Sequence, residues 1–166
     1  MPTTWHQKTL TLPSRSRGAY LITSDITSSL PELRNIRIGL LTLFIQHTSC
    51  ALSLNENYDP DVRADMVDAL DRVVPAEGAR TWGSGGGSSR RGGNNGEEVV
   101  KYRHDAEGED DMPAHVKSSL VGATVTVPIS EGRLALGTWQ GIYYLEFRKA
   151  KHSRRVVATI QGETME

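Results

Sequence analysis

Gly39-Leu40-Leu41-Thr42-Leu43-Phe44-Ile45-Gln46-His47-Thr48-Ser49-Cys50-Ala51-Leu52-Ser53-Leu54 is the stretch on which the reading of the fold turns. Its first seven residues are apolar but for one threonine, too short for an ordinary helix, and predict a strand buried on both faces. From Gln46 onward polar and apolar residues begin to alternate, so chemistry can surface there at the edge of a core. Upstream, residues 5–12 and 18–26 are rich in strand formers and read as a hairpin joined across residues 13–16. Leu30, Leu33 and Ile36 recur three apart behind Ser28 and Ser29, with Pro31 in the first turn, which predicts a short helix. Downstream, Asp59-Pro60 is a helix start, and Val62, Met66, Leu70 and Val73 share one face until Pro75. Residues 113–121 predict a second helix closed by Gly122. The rest reads as strands at 123–129, 133–136, 141–148 and 155–161, with a turn at Ser130-Glu131-Gly132. Strands outnumber helices and show no regular strand–helix alternation. The expectation is a single α+β domain over residues 1–166, dominated by antiparallel β-sheets in a sandwich- or barrel-like arrangement with a few short helices.

The length of 166 residues suits one domain with a real core. Nineteen basic against twenty acidic residues leave a net charge of −1, which removes the main electrostatic argument for a nucleic-acid or anionic-membrane partner. No apolar run approaches the roughly 18 residues of a membrane span, and the first residues lack a signal-peptide layout, so a soluble, cytoplasmic protein is expected. The single Cys50 cannot form an internal disulfide, which agrees with a reducing compartment. Of sixteen glycines, seven fall in residues 80–96. That stretch has little to bury and much backbone entropy to lose, and is expected to be a flexible surface insertion. It lacks the Gly-Lys-Ser/Thr ending of a phosphate loop.

Three places can carry chemistry. His47 follows the buried strand and opens His-Thr-Ser-Cys, where an imidazole can ligate metal or move a proton and the hydroxyls of Thr48 and Ser49 can orient a ligand. A core-edge histidine with satisfied hydrogen bonds would look the same, and Cys50 is more simply a small buried hydrophobe. The second place is the run from His104 to His115, with five carboxylates between the two histidines. Such a crowd needs a cation, solvent or shifted pKa values, and a solvated acidic turn before a helix is the plain alternative. His47, His104 and His115 together can offer three nitrogens to a divalent metal and leave a position open for water, although their spacing matches no zinc finger and no His-Glu-x-x-His. The third is Gly137-Thr138-Trp139-Gln140-Gly141, a turn whose Trp139 offers a stacking surface or simply packs.

These stretches, with Asn55-Glu56-Asn57, Asp59-Pro60-Asp61-Val62, Met112-Pro113-Ala114-His115-Val116-Lys117, Ser118-Ser119-Leu120, Gly132-Arg133-Leu134-Ala135-Leu136 and the closing residues 155–163, resemble the YjbQ-like family, also called the secondary thiamine-phosphate synthase family. The resemblance runs in order along nearly the whole chain. It implies a homotrimer and a transferase activity that condenses hydroxymethylpyrimidine diphosphate with thiazole phosphate, so a phosphorylated small molecule is the implied substrate. It also implies metal ligation and catalysis by His47, His104 and His115, with Glu107 and Lys117 beside them, and ligand binding by Thr48, Ser49, Glu56, Asp110, Thr138, Trp139 and Gln140. Zinc or nickel suits three imidazoles, whereas magnesium, the usual partner of diphosphate, prefers oxygen. A non-catalytic metal- or ligand-binding trimer and a metal-dependent hydrolase are the alternatives. The 80–96 stretch is longer than the corresponding connection in the members it resembles.

Overall fold

The computed structural model describes residues 3–82 and 97–165. Along them run β1 (Thr3–Arg15), β2 (Gly18–Leu21), α1 (Thr23–Ser29), a 3-10 turn (Pro31–Asn35), β3 (Ile36–Ile45), β4 (Cys50–Glu56), α2 (Pro60–Val73), β5 (Arg80–Trp82), β6 (Glu97–Val99), α3 (Asp111–Val121), β7 (Thr124–Ser130), β8 (Arg133–Leu134), β9 (Gln140–Glu146) and β10 (His152–Thr164). A five-stranded sheet in the order β1-β10-β3-β7-β8 packs on a three-stranded sheet β2-β9-β4, and β5-β6 form a small separate ladder. Every pairing is antiparallel, as the α+β expectation requires. Among the described residues no helix is long and apolar enough to cross a membrane.

Alternation along the strands builds the core. Leu41, Leu43 and Ile45 of β3, with Val156, Ala158 and Ile160 of β10, meet Leu52, Ile142 and Tyr144 of the smaller sheet. On the far side of that sheet, Ala51, Tyr143, Leu145 and Phe147 pack beneath Met66 and Leu70 of α2 and Ala114 and Val121 of α3. The result is three layers: large sheet, small sheet, helices. Two covered faces therefore belong to the small sheet, along β9 and at the start of β4. β3, expected to be buried on both sides, is covered on one: Ile38, Leu40 and Phe44 are 55%, 44% and 47% exposed.

Two further expectations are corrected. β1 and β2 do not form a hairpin; β1 pairs with β10 and β2 with β9, in different sheets. β10 matches β1 in length at thirteen residues, whereas β2 has only four to offer a partner. The helix placed around Leu30–Ile36 is instead α1 followed by a 3-10 turn with Pro31 at its start. Ile36 is fully buried in the sheet core, and that burial outweighs continuing the helical spacing. α2 begins where Asp59-Pro60 indicates, its Asp59 carboxylate accepting from the Asp61 N–H at 2.9 Å. α3 ends at Gly122, whose φ of +109 suits glycine, but starts at Asp111, two residues before the expected position. Of the stretch 80–96 expected to be a flexible insertion, residues 80–82 form β5 and the remainder lies outside the described residues.

Candidate metal centre

Asp111 and His115 stand one turn apart on α3 and so share a face, and His104 reaches them from the preceding loop. That loop is folded back by turns in which Gly108 N–H donates to Asp105 O and Asp111 N–H to Gly108 O. The ligand atoms of His104, Asp111 and His115 all lie within 4.8 Å of one another. Asp111 is 1% exposed, and its Oδ2 has no hydrogen-bond partner although His104 Nε2 is only 2.8 Å away. Its other oxygen, Oδ1, is taken by Arg148 Nη1 and lies 3.4 Å from His115 Nε2. His115 Nδ1 is 2.9 Å from the Thr48 carbonyl oxygen. A carbonyl only accepts, so Nδ1 donates to it, and Nε2 is the ring nitrogen that faces Asp111. Metal-binding histidines are commonly oriented by this kind of bond to a backbone carbonyl.

Most of the acidic run has another explanation. Arg148 follows β9 and is 9% exposed; it reaches the Glu107 carbonyl at 2.8 Å, the Glu107 carboxylate at 3.4 Å and Asp110 at 3.5 Å. The Lys149 N–H donates to Asp110 Oδ2 at 2.7 Å, and its ammonium pairs with Glu109. Glu107, Glu109 and Asp110 are thus met by two basic residues, and Asp111, which Arg148 also meets, is the one that converges with imidazoles. Sequence reasoning missed Asp111 because the helix was started too late; its spacing of four to His115 was the available signal.

The three histidines do not converge as one ligand set within the chain. His47 accepts the Arg155 N–H at Nε2, 2.9 Å, and is not part of the group. Burial, then the charges of Arg154 and Arg155, lower its pKa. The hydrolase alternative rested on that convergence and loses its basis. Thr48 contributes its carbonyl rather than its hydroxyl. Ser49 Oγ accepts from Arg154 Nη2 at 3.0 Å within a buried network. There Glu146, with no exposed surface, accepts from Arg154 Nε at 2.7 Å and Nη2 at 2.8 Å, from the Arg148 N–H at 3.1 Å and from the Tyr144 hydroxyl. Lys117 is 4% exposed and pairs with Asp71, tying α3 to α2.

Glu56, Trp139 and Gln140 line a different depression of about 550 Å³, together with Tyr58, whose ring meets that of Trp139 edge-on at 5.3 Å. Thr138 holds this turn through its carbonyl, which accepts from Asn57 Nδ2 at 3.2 Å. Cys50 pairs with Glu146 and Glu56 with Gln140, so this turn and the end of β4 next to His115 are separated by six residues of strand, about 20 Å. Within one chain Trp139 and the histidine group are not one pocket.

Two stacked antiparallel sheets, a helical layer and an imidazole–carboxylate group at the start of α3 define the class: an α+β protein with a candidate metal centre. A protein-family model described as "UPF0047 protein YjbQ-like" matches residues 8–163. The UPF0047 protein YjbQ of Escherichia coli O157:H7 is 45% identical over 159 residues, 96% of this chain and 99% of that one. A UPF0047 protein of Synechocystis sp. is 35% identical over 95% of this chain and 92% of its own. Among solved structures, a Clostridium acetobutylicum protein of the yjbq/upf0047 family has a TM-score of 0.68 at 31% identity, covering 93% of this chain and 98% of that chain. A YbjQ-like protein of unknown function from Sulfolobus solfataricus shares the fold with a TM-score of 0.74 at 18% identity, covering 98% of this chain and all of its own. The chain belongs to the YjbQ/UPF0047 family.

Membership corrects the functional expectation. The family is one of uncharacterised function, and neither its description nor the names of these relatives indicates thiamine-phosphate synthesis. The transferase and thiamine-biosynthesis readings fall with it. The geometry agrees: Lys117, expected beside the catalytic histidines, is spent on Asp71, and Trp139, expected to bind the ligand, stands at the other end of the sheet from the histidine group.

Proposed function

We propose that this protein binds a divalent transition-metal ion through His104, Asp111 and His115 and presents one coordination position to solvent. The carrying observation is the buried Asp111 carboxylate, whose Oδ2 has no hydrogen bond and stands 2.8 Å from His104 Nε2, while its Oδ1 lies 3.4 Å from His115 Nε2. A buried carboxylate oxygen left unsatisfied is costly, and a cation at the point where the three ligand atoms converge removes that cost. Arg148 neutralises Oδ1 and fixes the carboxylate, and the Thr48 carbonyl fixes the His115 ring. Two imidazoles and a carboxylate suit zinc better than magnesium, which prefers oxygen donors. His104 is more than half exposed, so the fourth position faces water. When bound, such an ion supplies a Lewis acid and lowers the pKa of its water. The test is calorimetric titration of tag-free, EDTA-treated protein with zinc and, separately, nickel. One ion per chain, with affinity reduced at least about tenfold in His115→Ala and in His104→Ala, is expected. No uptake by the wild type, or equal uptake by both variants, overturns the reading.

The same proposal includes self-association through the outer face of the large sheet. Trp5 and Leu40 flank Gln161 in one cross-strand row, with Pro128 beyond Leu40, and Phe44 flanks Val157 in another. Trp5 is 62% exposed, and with Ile38, Leu40 and Phe44 it makes an apolar surface of the kind that marks contact sites. A homotrimer is the assembly we propose for it. The buried free thiol of Cys50 supports a cytoplasmic setting.

A further inference from the structure

A second cavity, remote in sequence from the histidine group, lies between α1, the 3-10 turn and β8. Its volume is about 560 Å³. Leu33, Leu134 and Leu136 give it an apolar floor, and Ser24, Arg34 and Arg133 stand among its polar lining. The backbone fixes the two arginines near each other. Glu131 N–H donates to Arg37 O and Gly132 N–H to Ile36 O, both at 2.8 Å, which staples the β7–β8 turn onto the entry to β3. Gly132 comes so close that a Cβ there would stand 2.7 Å from the Arg34 carbonyl oxygen. Its φ of +72 excludes most other residues as well.

The charges of this cavity are unbalanced. No carboxylate lines it among the described residues, and neither Arg34 nor Arg133 has an ion-pair partner there. Arg37, three residues from Arg34, is by contrast paired with Glu163 at 2.5 Å. Glu32, on the same turn, lines a separate depression with Trp5 and Lys8. Two exposed guanidinium groups and no carboxylate give this cleft a positive field, and guanidinium geometry matches carboxylate and phosphate oxygens. The leucine floor would hold an apolar segment behind such a head group.

We infer that this cavity is a binding site for a small amphipathic organic anion, its carboxylate or phosphate head held by Arg34 and Arg133 and its hydrocarbon part resting on Leu33, Leu134 and Leu136. The inference uses none of the proposed metal ligands. It is tested on EDTA-treated protein by following backbone amide shifts during titration with hexyl phosphate, hexanoate, hexanol and inorganic phosphate. Saturable shifts confined to residues of α1, the 3-10 turn and β8 are expected with hexyl phosphate or hexanoate, the tighter of the two identifying the head group. Hexanol and inorganic phosphate are each expected to bind at least about tenfold more weakly. Arg34→Gln with Arg133→Gln, two exposed side chains whose loss leaves the core intact, should weaken the better ligand by about tenfold or more, while Arg34→Lys with Arg133→Lys recovers part of it. Absence of saturable binding by both amphiphiles, or equal binding by the doubly substituted glutamine protein, overturns the inference.

Discussion

Replacing Glu146 by glutamine tests the account of the buried network between the sheets. Glu146 has no exposed surface and accepts four hydrogen bonds, two of them from Arg154, which is itself only 7% exposed. Glutamine keeps the shape and one acceptor oxygen, which can still serve the Arg148 N–H and Arg154 Nη2. Its amide nitrogen is then turned toward Arg154 Nε, donor against donor, and the Arg154 charge is left in the core uncompensated. Burial alone works against charge on Arg154, and it is the bonds and charge of Glu146 that hold its pKa above the ordinary value. Removing one partner of a buried pair costs about 3–5 kcal/mol. For a chain of this length that is a fall of roughly 10 °C in Tm. Urea unfolding at pH 7, with EDTA and at matched protein concentration, measures it; the m-value should not change. Glu146→Gln combined with Arg154→Met should lose clearly less than the two single variants added together, because no charge is then stranded. A loss under about 1 kcal/mol for the single variant, or strict additivity in the double, would refute the reasoning.

Other outcomes follow from the same structure. His47 has a lowered pKa, first from burial and then from Arg154 and Arg155, so the unfolded chain binds its proton more readily than the folded one. Stability from this group is present above the ordinary histidine pKa and is lost as pH falls through that range, and His47→Gln should flatten the decline in unfolding free energy between about pH 7 and 5. Burial pushes the Cys50 thiol up to about 12, so reaction with a thiol reagent should follow unfolding; rapid labelling of the native protein would contradict its position. Thr48→Ala should leave zinc affinity within about twofold, since the backbone carbonyl orients His115; a loss of the size expected on removing a group that orients a metal ligand, roughly 10–100-fold, would mean that the hydroxyl matters. Leu40→Lys with Phe44→Lys should reduce the particle mass measured by light scattering to that of one chain, and an unchanged mass would move the contact surface elsewhere.

Local signals were legible and long-range ones were not. Asp59-Pro60 and Gly122 mark helix ends by backbone chemistry that acts within a few residues, and the start of α2 and the end of α3 are read well from them. Strand partners depend on residues far away. Nothing near β1 says that its ladder is completed by β10, and the adjacent β2 looks like the natural hairpin mate until lengths are compared. The same distance hid the fate of the acidic run. Asp111 meets Arg148, 37 residues later, and without that contact five carboxylates between two histidines suggest a cation site in general rather than one buried carboxylate in particular. His47 was visible as a histidine at a core edge, but only the backbone of β10, supplying the Arg155 N–H, shows that its Nε2 is occupied. Glu146 passed unnoticed among Ile142, Tyr143, Tyr144, Leu145 and Phe147, although a charge at the inward parity of a buried strand is a signal in its own right.

β10 lies between β1 and β3 in the large sheet, yet it is made after both: Thr3 pairs with Glu163, and Leu43 with Ala158. As the chain leaves the ribosome, β1 therefore has no partner, and β3 offers one open edge even after β7 has joined it. The sheet closes only when β10 emerges to join β1 to β3, so acquisition of the native state is a late, concerted event rather than a progressive one. During that interval two long strands with exposed apolar residues are free to pair wrongly, which makes nascent chains stalled before β10 natural clients of a holdase and a sensitive place to look for aggregation.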